Sequence, residues 1–132
     1  MKILIVGGTG MIGAHAALFL KEKENDVTLA ARRPVSADSP LAGFPVLLGD
    51  YAEGTFAEAD LAPFDAIVFA AGNDIRHLSR GEDEQAFWKK MQIEGVPNFV
   101  ALARRAGVKR LVQLGSYYHH VMPHLAESNA YV

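Results

Sequence analysis

Cysteine is absent from this chain, which rules out disulfides and thiolate-held zinc and leaves the redox compartment unreadable from thiol usage. Neither sign of charge dominates. Thirteen Lys and Arg face fifteen Asp and Glu, a formal net charge of −2, and the two signs are interleaved, so there is no basic stripe of the kind a nucleic-acid surface needs. Long apolar runs are missing as well. The N-terminal one stops at Val6, far short of a signal peptide or a membrane span. The expectation is a cytoplasmic protein with neither a membrane nor a nucleic acid as partner. No repeat, low-complexity tract or interdomain linker interrupts the chain. What remains is 132 residues, half of them hydrophobic, enough for one domain over residues 1–132 with a sizeable core and little more.

The residues Ile3, Leu4, Ile5 and Val6 are too few for a helix and read as a strand. They lead straight into Gly7-Gly8-Thr9-Gly10-Met11-Ile12-Gly13, and from there into a helical pattern with Ile12, Ala16, Phe19 and Leu20 on one face. Strand, glycine-rich turn and helix in that order is the setting that gives a glycine motif meaning for dinucleotides. Gly7 suits the tight turn, Gly10 the close approach of a pyrophosphate, and Gly13 the close packing of helix on strand. The helix then aims free N–H groups and the positive end of its dipole at phosphates. Spacing alone leaves the register open, because Gly8, Gly10 and Gly13 also satisfy GxGxxG. The plainer alternative is a turn that merely joins strand to helix.

After the first helix, Asn25-Asp26 offers a left-handed cap, and 27–30 reads as a second strand. Where an NAD site places a carboxylate for the ribose 2′-OH, this chain has Ala31-Arg32-Arg33. Two guanidiniums there suit a 2′-phosphate, so NADP is preferred, with NAD still open. A pair of solvated arginines is the alternative. Residues 34–43 form a loop, 45–48 a third strand, and Asp50 beyond it suits either an adenine contact or an ordinary turn. A short helix over 55–61 precedes Pro63. Residues 66–70 are apolar throughout, as a strand covered on both faces must be. They run into Ala71-Gly72-Asn73, small residues under which a cofactor can pass closely. Residues 74–81 read as a loop. A long helical pattern follows over 82–106, with Trp88, Met91, Gly95, Phe99, Leu102 and Ala106 as its core stripe. Pro97 should kink or divide it, Gly107 should cap it, and 110–114 is a fifth strand ending at Gly115-Ser116. The natural solution is an α/β, Rossmann-type doubly wound parallel sheet of order 3-2-1-4-5, which collects all these strand ends on one side.

At this point the chain resembles the short-chain dehydrogenase/reductase superfamily, in its extended and atypical epimerase/dehydratase-like branch. The residues that carry the resemblance are GGTGMIGAH (7–15), GDY (49–51), VFAAG (68–72) and AGVKRLVQLGS (106–116). It implies that Gly7, Thr9, Gly10, Met11 and Ile12 hold the pyrophosphate, and that Arg32 with Arg33 holds the 2′-phosphate. It also implies that Asp50 and Tyr51 contact adenine, and that Ala70, Ala71 and Gly72 line the ribose side. Ser116 matches the serine that hydrogen-bonds a substrate oxygen. Two departures stand out, Gln92 in place of a frequent Asn and Gly115 in place of a second hydroxyl residue. The family's catalytic tyrosine matches Tyr131, and the lysine four residues later would fall at position 135, past the last residue given. The resemblance therefore implies a C-terminally truncated sheet, the N-terminal portion of a longer enzyme, inactive by itself.

His119, His120 and His124 cluster near Glu127 but around Pro123 and without helical spacing, so no metal site is expected. His15 is given a packing role only. The resulting expectation is the NAD(P)-binding domain of an oxidoreductase that moves hydride between NADP(H) and a carbonyl or alcohol substrate, a small molecule, with a homodimer allowed. The alternatives are a nucleotide-sugar epimerase/dehydratase and a dinucleotide-sensing module without turnover.

Overall fold

A computed structural model describes residues 1–73 and 77–125. Its strands are β1 (Lys2–Val6), β2 (Asp26–Ala31), β3 (Val46–Leu48), β4 (Ala66–Phe69) and β5 (Arg110–Gln113). They form a parallel sheet of order β3-β2-β1-β4-β5, as the apolar strands and long crossovers predict. The helices are α1 (Met11–Glu22), α2 (Glu58–Leu61), α3 (Glu84–Trp88), α4 (Val96–Arg105) and α5 (Tyr118–Val121).

Alternation along β1 creates two cores. Leu4 and Val6 join Phe56, Leu61, Ile67, Phe69, Val96 and Phe99 on the face under α2 and α4. Ile3 and Ile5 join Ala17, Val27, Leu29, Leu41 and Phe44 on the face under α1. Side chains that point alternately up and down can all be apolar only when both faces are covered.

α1 is rotated away from the orientation its apolar pattern predicts. Gly13 and Ala17 are its buried residues, while Ile12 and Phe19 are 54% and 56% exposed. Gly13 is the reason. A Cβ there would lie 2.2 Å from the Gly7 carbonyl oxygen, so the backbone contact decides which side faces the sheet. Residues 13, 17 and 20 follow it inward.

The left-handed residue ending α1 is Glu24, at φ 59°, in place of the expected Asn25-Asp26. The Glu24 and Asn25 N–H groups bond back to the Lys21 and Leu20 carbonyls at 2.9 and 3.2 Å. Asn25 instead donates its side-chain amide to Leu20 O at 3.1 Å. The end of α4 follows expectation. Gly107 takes φ 86°, and Gly107 and Val108 N–H close onto the Arg104 and Ala103 carbonyls at 3.1 Å each, a Schellman ending.

The long helical pattern is divided ahead of Pro97, as expected, by a change of helix type. The chain runs as α helix to Trp88, as π helix over Lys89–Gly95, and as α helix again with Pro97 in its first turn. A proline lacks an N–H that the first turn would leave unpaired anyway, and the wider turn before it accommodates the ring. Around the histidines the chain forms a short helical turn, α5, followed by a 3-10 turn over Pro123–Leu125.

Glu24 gives a direct stability test. Glycine holds a left-handed conformation without the Cβ penalty. Glu24→Gly should therefore raise the unfolding free energy by about 0.5–1 kcal/mol, seen as a higher urea midpoint at unchanged slope. A lower midpoint would show that this cap bears no strain.

Candidate functional site

The carboxyl ends of β1, β2, β3 and β4 surround one cavity of ≈ 490 Å³. Gly7 of its lining has neighbours that leave no room for a side chain, and so has Gly8 next to it, outside the lining. Gly7, at φ 78°, sits so close to the β4 end that a Cβ would lie 2.6 Å from Ala71 Cα. A Cβ on Gly8 would meet Leu29 Cδ2 of β2 at 2.8 Å. Both readings of the motif's register are therefore used, Gly7 against β4 and Gly8 against β2. Gly10 is the extended residue before α1, with no side-chain cap and no acidic residue in the helix's first turn. A helix end left in that state favours an anionic ligand.

Every residue expected to contact the cofactor lines this cavity except Arg33: Gly7, Thr9, Gly10, Met11, Ile12, Arg32, Asp50, Tyr51, Ala70, Ala71 and Gly72. Arg33 is exposed and lies outside the lining. Asp50 holds a turn, since its Oδ1 accepts from Ala52 N–H at 2.8 Å. It also faces the cavity. The Asp50 N–H donates to Thr55 Oγ1 at 2.7 Å, which holds the loop after β3 in one shape.

Tyr51 is the best-held side chain of the group. Its ring meets Phe69 edge-on at 4.9 Å between centroids, and Asn73 donates from Nδ2 to its hydroxyl at 2.7 Å. Behind it lies Gly95, where a Cβ would come within 3.2 Å of Tyr51 Cε2 and 2.7 Å of the Lys90 carbonyl. Burial pushes the Tyr51 phenol up; the Asn73 bond opposes the shift, nearby Asp50 adds to it and Arg32 opposes it.

Ser116 follows β5 and is half-buried, outside the lining of this cavity. Its Oγ accepts from the Tyr118 N–H at 3.2 Å, which leaves the hydroxyl hydrogen available to donate. Tyr131 lies outside the described residues. So does Glu127, and among the described residues no three metal-ligating side chains converge. Asn73, expected with Ala71 and Gly72 beside a cofactor, also lines the cavity, as do His77 and Met91, to which sequence reasoning assigns no site role. Met91 was on the core stripe, but the π-helical turn brings it to the cavity wall. His15 is exposed, with Nδ1 2.8 Å from the Met11 carbonyl oxygen.

The cavity gathers Gly7, Gly10 and Arg32 at the carboxyl ends of the strands. The model of the NAD dependent epimerase/dehydratase family matches residues 3–131. A 3-beta-hydroxysteroid dehydrogenase of Mycolicibacterium neoaurum is 30% identical over 122 residues, 87% of this chain and 32% of that protein. A short-chain dehydrogenase/reductase superfamily protein from Agrobacterium tumefaciens, solved with bound NAD, superposes with a TM-score of 0.70 at 20% identity. That match covers 89% of this chain and 33% of the other. The UDP-N-acetylglucosamine 4-epimerase of Bacillus cereus gives a TM-score of 0.61 at 18% identity over 88% of this chain and 37% of its own. The chain thus spans about a third of the curated relative it matches.

Two alanine substitutions separate a close-packed glycine from one in the open part of the cavity. Gly13→Ala should cost about 1–3 kcal/mol or more, because its Cβ would overlap the Gly7 carbonyl. Gly72→Ala has nothing within 4 Å and should leave the thermal midpoint nearly unchanged. Equal midpoints for the two variants would remove the packing role given to Gly13.

Proposed function

This chain belongs to the NAD dependent epimerase/dehydratase family, and from that premise we propose that it binds NADP(H) in preference to NAD(H) as the cofactor domain of a carbonyl or alcohol oxidoreductase. The observation that carries this reading is the meeting, in one cavity, of Gly7 and Gly10, the uncapped end of α1 and Arg32. The residues fit the cofactor. Gly7 and Gly10 line the cavity with backbone-only surface where a pyrophosphate needs close approach. The first turn of α1 offers N–H donors and a positive dipole end to the same phosphates. Arg32 gives a planar fork of donors at the rim, the group best suited to a terminal phosphate. The two residues directly after β2, Arg32 and Arg33, offer no carboxylate to select a free ribose 2′-OH in its place.

When bound, the nicotinamide supplies hydride chemistry at its C4. The chain's own part is to hold and orient. Ser116, with its hydroxyl hydrogen free to donate, would polarise a substrate oxygen, and Tyr131 would exchange the proton. The hydroxysteroid dehydrogenase relative supports a secondary alcohol or ketone as substrate class. A nucleotide-sugar epimerase or dehydratase is the second reading, favoured by the family's description and using the same transient hydride step. A small-molecule substrate and a cytoplasmic setting complete the proposal.

Calorimetric titration tests it. NADP(H) should bind more tightly than NAD(H), and Arg32→Asp should weaken NADP(H) by about tenfold or more while leaving NAD(H) little changed. Equal affinities in the unmutated protein would sink the arginine argument. Tight binding without turnover of any carbonyl substrate would favour a sensing module.

A further inference from the structure

The chain has four methionines and no cysteine, so its sulfur chemistry is thioether chemistry alone. Two of the four, Met11 and Met91, line the cavity at the carboxyl ends of the strands. The other two, Met1 and Met122, lie outside that lining. Met11 is the first residue of α1 and is 79% exposed, against 51% for Met1 and 39% for Met122. Met91 is half-buried in the π-helical turn, and the Met1 sulfur lies 4.0 Å from Arg110 Nη1. The most accessible methionine of the chain therefore stands where the uncapped first turn of α1 meets the cavity.

We infer that Met11 is an oxidative modification site, and that its sulfoxide weakens dinucleotide binding at the phosphate end of the cavity. This rests on the dinucleotide reading given above. The oxidant is hydrogen peroxide. A sulfur lone pair attacks one peroxide oxygen, the O–O bond breaks, and the other oxygen leaves as water with both hydrogens. Sulfur loses two electrons and peroxide gains them, so atoms and charge balance.

The product has a chemistry the thioether lacks. Thioether sulfur is a weak acceptor, whereas the sulfoxide oxygen is polar and carries partial negative charge. The first turn of α1 has no side-chain cap and no acidic residue, so its positive end is open to any acceptor within reach. An oxygen carried on residue 11 is drawn to the same positive end that a phosphate needs. It also sets partial negative charge against the phosphate oxygens. A bound dinucleotide acts the other way, since it covers the cavity wall at Met11 and shields the sulfur from peroxide. Cofactor and oxidant thus exclude one another at one side chain, and enzymatic reduction of the sulfoxide restores the thioether.

The test treats the protein with hydrogen peroxide, with and without saturating NADP⁺, and follows each methionine by peptide mass spectrometry. In the free protein Met11 should oxidise fastest of the four. NADP⁺ should slow Met11 severalfold and leave Met1 and Met122 unchanged. By calorimetry the oxidised protein should bind NADP⁺ about three- to tenfold more weakly, the scale of one hydrogen bond. Treatment with methionine sulfoxide reductase should restore the affinity.

Three variants assign the loss to one sulfur. Met11→Leu, compared with itself before and after peroxide, should show no change in affinity. Met91→Leu should lose as much on oxidation as the unmutated protein does. Met11→Gln carries a polar acceptor in place of the sulfur and should bind NADP⁺ more weakly than Met11→Leu without any oxidant. Unoxidised, unmutated protein that binds neither NADP⁺ nor NAD⁺ overturns the dinucleotide reading and this inference with it. Normal binding before peroxide and unchanged binding after it overturns the inference alone. So does a loss that persists in Met11→Leu or resists the reductase, a Met11→Gln that binds as Met11→Leu does, or a Met11 that oxidises no slower with NADP⁺ bound.

Discussion

The contact between Gly13 and the carbonyl of Gly7 is the constraint on which the rest of this structure depends. Two backbones meet there with no side chain between them, and a Cβ at Gly13 would be 2.2 Å from the carbonyl oxygen. That approach seats α1 on the sheet, and it fixes the helix's rotation by backbone geometry before any apolar side chain is counted. It also places the helix's free N-terminal turn beside the β1 end, where Gly7 in turn touches Ala71 of the neighbouring strand end. Gly7 thus belongs both to this folding contact and to the lining of the cavity.

Rotation set in this way has a consequence on the opposite flank of the helix. Leu29, Ile5, Val68 and Val112 form one row across four neighbouring strands on the α1 face. Leu29 and Ile5 are fully buried, Val68 is half-buried and Val112 is 63% exposed. Ile12 and Phe19 look out beside the helix. The α1 face is therefore closed over β1 and β2 and open toward β5, while the other face is closed over β4 by α4 with Val96, Phe99 and Ala103. The apolar stripe legible in the sequence of α1 is real chemistry, but its outer half is not core among the described residues.

Strand order, both core faces and most of the cavity's lining were legible in the sequence, because they follow from local patterns. Apolar runs of strand length, glycines at a strand-to-helix turn, and Arg32 after β2 each carry their meaning within a few residues. What could not be read depends on backbone geometry that no residue announces. The turn of α1 hung on Gly13 instead of on hydrophobic periodicity. The left-handed cap fell to Glu24, one residue before the amide that looked suited to it, because the last turn of α1 closes there. The π-helical turn before Pro97 adds width that heptad-like counting cannot include, and it moves Met91 from the core stripe to the cavity.

The Tyr51–Asn73 bond belongs to this second class. The two residues stand twenty-two positions apart in the chain, in the loops after β3 and β4, and neither loop's sequence announces the other. The parallel sheet collects the carboxyl ends of its strands on one side and so brings the two loops together at the cavity. Asn73 then bonds a hydroxyl whose ring is already set edge-on against Phe69. This part of the cavity wall is therefore fixed by contacts between distant residues, which a pattern read along a few positions cannot carry.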